Sequence, residues 1–328
     1  MHRIRFWLAA AGGILLVPSI AVSAHADTVT VRTAAELTSA LAAAAPGQTI
    51  ELAAGTYDGS FTATAKGTAS QPITLTGPRE AVLSNHGGYG LHLDGAAYWK
   101  LTGFAVSGAS KGIVLDHTNH TVLDRLAVSN VDAEAIHLRA SSSDNTISDS
   151  SVRDTGRKQP QFGEGIYLGS AKSHWDDYGE NGGPDRSDRN QVIGNQLGPN
   201  IRAEAIDIKE GTQDGVIRGN SFDGHGISGQ NYADSWVDVK GGGYRLADNT
   251  GTYDGDGALV DGFQVHQQVS GMGCANTFDG NKSDLGGASG YAIDVTDQSK
   301  CDRPNVVRST NTVRDAGSGL TNIDVTGR

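Results

Sequence analysis

From residue 90 onward the chain repeats one short pattern: a small residue, an apolar residue, a variable residue and a second apolar residue. It reads Gly90-Leu-His-Leu93, Gly112-Ile-Val-Leu115, Ala135-Ile-His-Leu138, Gly165-Ile-Tyr-Leu168, Ala205-Ile-Asp-Ile208, Trp236-Val-Asp-Val239, Gly262-Phe-Gln-Val265, Ala292-Ile-Asp-Val295 and Asn322-Ile-Asp-Val325. The first apolar residues of successive repeats are 22, 23, 30, 40, 31, 26, 30 and 30 positions apart. Alternation with period two belongs to a strand, and recurrence at this spacing belongs to strands stacked coil on coil. The pattern predicts an all-β chain, a parallel β-helix (solenoid), with its regular coils over 90–328.

Side chains alternate between the two faces of a strand, so the apolar pair of each repeat points inward and the middle residue outward. The outward row is His92, Val114, His137, Tyr167, Asp207, Asp238, Gln264, Asp294 and Asp324, and the next outward position adds Asp94, Asp116, Arg139, Gly169, Lys209, Lys240, His266 and Thr296. A second column, Asn195, Asn220, Asn249, Asn281 and Asn311, recurs after short apolar strands. Asparagine tolerates the left-handed backbone of a tight turn, and stacked amides form a ladder.

Upstream, Thr28–Val31 alternates like a strand. Thr33-Ala-Ala-Glu36 has the spacing of a capping box that opens a short helix, with Leu37 and Leu41 on one face and Pro46-Gly47 as its stop. Residues 27–89 therefore read as an N-terminal cap and first coils. Residues 1–26 carry Arg3 and Arg5, an apolar run and the small-residue site Ala24-His-Ala26, the pattern of a secretory signal peptide. The 40-residue interval holds an insertion loop, 170–189, without strand alternation, whose Trp175 and Tyr178 are candidate sugar-stacking platforms. A second excursion, His225 to Ser235, sits one coil later and is placed to form a facing wall.

The formal charge is −11, and loss of residues 1–26, with Arg3 and Arg5 and no acid, takes it to −13. An acidic chain is a poor partner for nucleic acid or an anionic membrane. An acidic polymer remains possible where lysines and a cation gather locally. The two cysteines, Cys274 and Cys301, are expected to pair in a secreted, extracellular protein.

Chemistry concentrates in two columns. Glu134, Glu164 and Glu204 each precede a repeat's first apolar residue by two, on three successive coils. Carboxylates about 4.8 Å apart repel by roughly 1 kcal/mol in water and 3–4 kcal/mol at an effective dielectric near 20, so a cation or a lysine must offset them. Clustered hard oxygens suit calcium, and a surface row neutralised by Lys209, Arg202 or Arg139 is the other reading. Lys209 and Lys240 stack a coil apart. Like charges depress each other's pKa, which would suit a general base; an ion-pair ladder with Asp207 and Asp238 is the lesser reading.

Glu204-x4-Lys209 followed by Gly215-Val-Ile-Arg-Gly-Asn220 resembles the catalytic coil of the alginate-lyase and chondroitinase-B-like polysaccharide lyases. The repeats, with Pro46-Gly-Gln-Thr-Ile-Glu-Leu52 and Gln71-Pro-Ile-Thr-Leu75, resemble the secreted right-handed parallel β-helix proteins of the pectate-lyase superfamily. The resemblance implies a monomeric lyase acting on an acidic polysaccharide by calcium-assisted β-elimination. In that reading Glu204 and Glu164 are calcium ligands and Lys209 is the base, while Glu134 is a further ligand candidate from the column alone. Lys240 stands where an arginine is expected, with His266 as the neighbouring basic residue. Tyr167, His137, Asp207, Asp238, Trp175 and Tyr178 line the substrate path. Arg202 departs from the pattern, since an acidic ligand is expected there. Two alternatives use the same fold. A glycoside hydrolase would employ Asp207 and Asp238, with Asp234 or Asp261, although adjacent lysines disfavour the raised carboxyl pKa it needs. A non-catalytic glycan-binding module would need only the stripe.

Overall fold

The computed structural model describes residues 27–327 together with Met1 and His2, so the signal-peptide reading falls almost wholly outside the described residues. The chain forms a parallel β-solenoid built from three ladders of strands. One is a 12-stranded sheet running from Thr28–Val31 to Val325–Thr326. The other two are joined by the long strands Ala81–Asp94 and Ala105–Asp116, which pass through both. The ladder that carries the repeat continues through Ile136–Arg139, Ile166–Leu168, Ile206–Ile208, Ser235–Val239, Asp261–Val265 and Tyr291–Val295, each pairing in parallel with the next.

Register follows the repeat. Ile113, Ile136, Ile166, Ile206, Val237, Phe263 and Ile293 form one inward column, and each is at most 1% exposed. Burying side chains of this size contributes about 1.5–3 kcal/mol each, which is what fixes the coil register. Helix Ala34–Ala42 covers the N-terminal end of this core with Leu37, Ala40 and Leu41. Thr33 Oγ1 accepts from Glu36 N, while Glu36 Oε2 accepts from Arg32 N, one residue outside the expected box.

Two sequence expectations need correction. Ile293 pairs with Thr321, and Val325 pairs with Val307 in the 12-stranded sheet, so Asn322–Val325 does not continue the repeat and Asp324 is not in the outward row. Among the described residues no further coil packs on this motif, so burial does not hold it to its column. The asparagine ladder is present, with Asn195, Asn220 and Asn249 each donating through Nδ2 to the next Oδ1 at 2.9–3.0 Å. Its members are buried, and the left-handed backbone belongs instead to the preceding Gly194, Gly219, Asp248 and Gly280. Asn220 also accepts from Asn195 N and donates to Val192 O. Asn220→Ala leaves buried backbone groups unpaired and should cost about 2–3 kcal/mol in urea unfolding.

Cys274 and Cys301 are joined in a disulfide. Among the described residues no helix is long and apolar enough to cross a membrane.

Candidate active site

Strand pairing sets Tyr167 beside Asp207 and Asp207 beside Asp238 on the outward face of the repeat ladder. An outward face should be wet, yet Asp207 is 2% and Asp238 5% exposed. Two loops flank this face. At the strands' C-terminal ends stands the insertion loop, with short helices Lys172–His174 and Trp175–Tyr178, held by Glu210, which accepts from Lys172 N, and by Asp185, which accepts from Ser170 Oγ, Ala140 N and Ser141 N. At the N-terminal ends the His225–Ser235 excursion contributes Asn231, Tyr232 and Asp234 to a cavity of about 470 Å³. Glu204, Asp207, Lys209, Asp238, Lys240, Gln264 and His266 line the same cavity.

Asp207 is the electrostatic centre. Its Oδ2 lies 2.6 Å from Lys209 Nζ and its Oδ1 accepts from Lys240 Nζ at 3.0 Å. Lys240 also contacts Asp238, whose Oδ1 is 2.9 Å from His266 Nδ1. The expected depression of the lysine pKa values does not occur. Burial alone would favour neutral Lys209, but Asp207, Glu204 and Glu164 outweigh it and hold the ammonium well above its ordinary value. Lys240 is likewise raised, burial being overcome by Asp207 and Asp238 despite Lys209. Opposite charges in hydrogen-bond contact exceed a like charge one coil away. His266 is raised by its hydrogen bond to Asp238.

The carboxylate cluster also differs from the expected column. Glu164, Glu204 and Asp207 each present an oxygen within 4.8 Å of the others, and all three are buried. Glu134 is not in this group; it is 2.8 Å from Lys111 Nζ, a cation the sequence reading missed. Burial, with Asp207 and Glu134, pushes the Glu164 carboxyl up to about 8. Burial and Asp207 raise Glu204 well above the carboxylate range. Glu164 Oε2 is buried without a hydrogen-bond partner.

A raised folded-state pKa means that the native protein binds the proton more tightly than the unfolded chain. Stability from this group is therefore full below pH 4.5 and is lost as pH rises toward 8. Metal-free Glu164→Gln should gain on the unaltered protein between pH 5 and 8, by on the order of 2 kcal/mol in urea titrations.

Tyr167 completes the centre, with Lys209 Nζ 4.9 Å from its ring centroid and the His137 ring edge-on at 4.3 Å. Burial first, then Asp207 and Glu164, keep its hydroxyl protonated far above the ordinary value. His137 faces a neighbouring cavity of about 380 Å³, shared with Lys111, Arg139, Phe162, Tyr167 and Tyr178. Tyr178 lies under the Arg139 guanidinium at 4.2 Å. Trp175 does not line either cavity; its Nε1 donates to Ser170 O within its own loop. Phe162 and Tyr232 escaped sequence reading because neither lies on a repeat's strand, whereas Lys111 stands two before Ile113, in the glutamate column one coil earlier, where only acids were sought.

The first pair of the hydrolase alternative, Asp207 and Asp238, is tied up in ion pairs, whereas the Asp234 carboxyl in the same cavity has its pKa raised by burial. Burial would raise Asp238, but Lys240 and His266 hold it far below the usual range, and both Asp207 oxygens carry lysines.

A scan against protein-family models and a search of curated proteins gave no match. Among solved structures, an alginate lyase from Paenibacillus sp. str. FPU-7 superposes with a TM-score of 0.80 at 41% identity, covering 92% of this chain and 97% of that one. Pectate lyase Pel9A superposes with a TM-score of 0.64 at 17% identity, covering 85% and 72%. A rhamnogalacturonan lyase does so with 0.57 at 13% identity, covering 81% and 80%. The last two show the fold alone.

Proposed function

Because the chain belongs to the parallel β-helix polysaccharide lyases of the pectate-lyase superfamily, we propose that it is a secreted enzyme that cleaves a uronic-acid polysaccharide, alginate foremost, by β-elimination. The observation that supports this most is the grouping of Lys209, Lys240 and His266 around buried carboxylates in one cavity, with the Tyr167 ring beside Lys209.

Lys209 Nζ removes the proton at C5 of the uronate. The electron pair left on C5 forms the C4–C5 double bond as the C4–O bond breaks, and the Tyr167 hydroxyl gives its proton to the departing oxygen. Tyr167 suits a donor because its environment keeps it protonated. Lys240 and His266, on the next two coils, present positive charge to the uronate carboxylate and so favour the enolate-like state that precedes bond cleavage. Asp207 and Asp238 hold those cations in place.

Glu164, Glu204 and Asp207 would hold a calcium ion. The fit rests on the oxygen-only donor set and on the partnerless Glu164 Oε2. When bound, such an ion supplies charge that offsets the substrate carboxylate and the acids that hold the Lys209 proton. Glu204→Gln should weaken calcium dependence, and an unaltered calcium titration would count against this site.

The test is ultraviolet absorbance of the unsaturated uronate end during incubation with a panel of uronic-acid polymers, with calcium or EDTA. Since Lys209 must shed its proton to act, kcat/KM should rise with pH on the acidic and neutral side. Release of reducing ends without the absorbance would mean hydrolysis.

A further inference from the structure

Resting on the lyase reading, we infer that Phe162 and Tyr232 form an aromatic rim that holds sugar rings on both sides of the scissile bond, so that the enzyme attacks the interior of the polymer. Among the described residues, the exposed large apolar side chains are Met1, Val29, Phe162, Tyr232 and Val325, and the two aromatics are 46% and 89% exposed. Both lie on one side of the groove, in the short turns Pro160–Phe162 and Gln230–Tyr232. The turns touch, with Asn231 Nδ2 donating to Gln161 O at 3.5 Å.

Tyr232 sits at φ 63 and Asn231 at φ 57. A left-handed backbone is unfavourable for an aromatic residue. Here the conformation sets a ring at the lip of the cavity in water, without the burial that normally repays an aromatic side chain.

The spacing shows what the rim fits. Phe162 leads into the coil of Tyr167, Tyr232 into the coil of Asp238, and the coil of Glu204, Asp207 and Lys209 lies between them. The strands these turns lead into lie two coil steps, about 9.6 Å, apart, roughly the span of two pyranose rings. Phe162 lines the cavity of His137 and Arg139, and Tyr232 lines that of Lys240 and His266. A polymer lying along the solenoid axis therefore meets one ring before the Lys209 coil and one after it. Flat apolar faces of sugars stack on such rings, while uronate carboxylates face the floor. An occupant held on both sides is an internal stretch of chain.

The experiment compares the unaltered protein with Phe162→Ala/Tyr232→Ala and with the conservative pair Phe162→Tyr/Tyr232→Phe on alginate polymer. The alanine pair should raise KM about tenfold with kcat within twofold, and the conservative pair should restore KM. The unaltered enzyme should lower solution viscosity well before its end products accumulate. Thermal midpoints should match, because both residues sit at exposed loop tips. An active unaltered enzyme whose alanine pair keeps KM within twofold would overturn the rim and leave the lyase reading standing. Absence of elimination by the unaltered protein on every polyuronate would instead remove the lyase reading, and the rim with it.

Discussion

Lys209→Ala is expected to lower elimination by about 10²–10⁴-fold without disturbing the fold, the range for loss of a positioned general base. The lysine is 12% exposed, and its ammonium is held by Asp207 at 2.6 Å. Its removal leaves Asp207 still paired with Lys240 at 3.0 Å, so no orphan charge remains to unfold the site. Lys209→Arg separates the base role from the charge role. Arginine keeps the positive charge but cannot release its proton at accessible pH, so it should be nearly as inactive as alanine. Activity above a tenth of the unaltered level in the alanine variant would end the assignment of Lys209 as base. Substantial activity in the arginine variant would move its role to charge neutralisation.

Asp207→Ala carries the largest expected cost in stability. It leaves two buried ammoniums, Lys209 and Lys240, without their shared counter-charge, and breaking a buried pair in this way typically costs 3–5 kcal/mol. The cost should depend on pH with a definite sign. Glu164 and Glu204 are held protonated partly by Asp207, so in its absence they ionise more easily and take over as partners for the lysines. Urea unfolding of the metal-free variant should therefore show about 3–5 kcal/mol lost at pH 5 and less at pH 8. A loss below about 1 kcal/mol at pH 5 would mean that the lysines are not held by Asp207.

The fold was legible because it rests on local periodicity. Ile136, Ile166 and Ile206 alternate with polar neighbours and recur every coil, and only stacked parallel strands bury all of them together. The failure at Asn322–Val325 shows the condition for that legibility, since the same motif without a covering coil left the column. The site was legible as far as strand alternation reaches, which brought Tyr167, Asp207, Lys209, Asp238 and Lys240 to one face. Charge states were not. From spacing alone, stacked lysines that depress each other and a ladder of lysines paired with Asp207 and Asp238 are both open, and contact distances decide for the ladder. In space, Asp207 lies in contact with both and reverses the sign of their shifts.

The sequence by itself determined the solenoid, its capping helix, the asparagine ladder and the outward row, because each follows from which face of a strand or turn a residue occupies. Only the tertiary structure decided that the outward row is buried, that Glu134 turns to Lys111 while Asp207 joins Glu164 and Glu204, and that Phe162 and Tyr232 meet at one lip. Those outcomes depend on loops from coils tens of residues apart closing over the same strands, and no periodicity encodes where such loops come to rest.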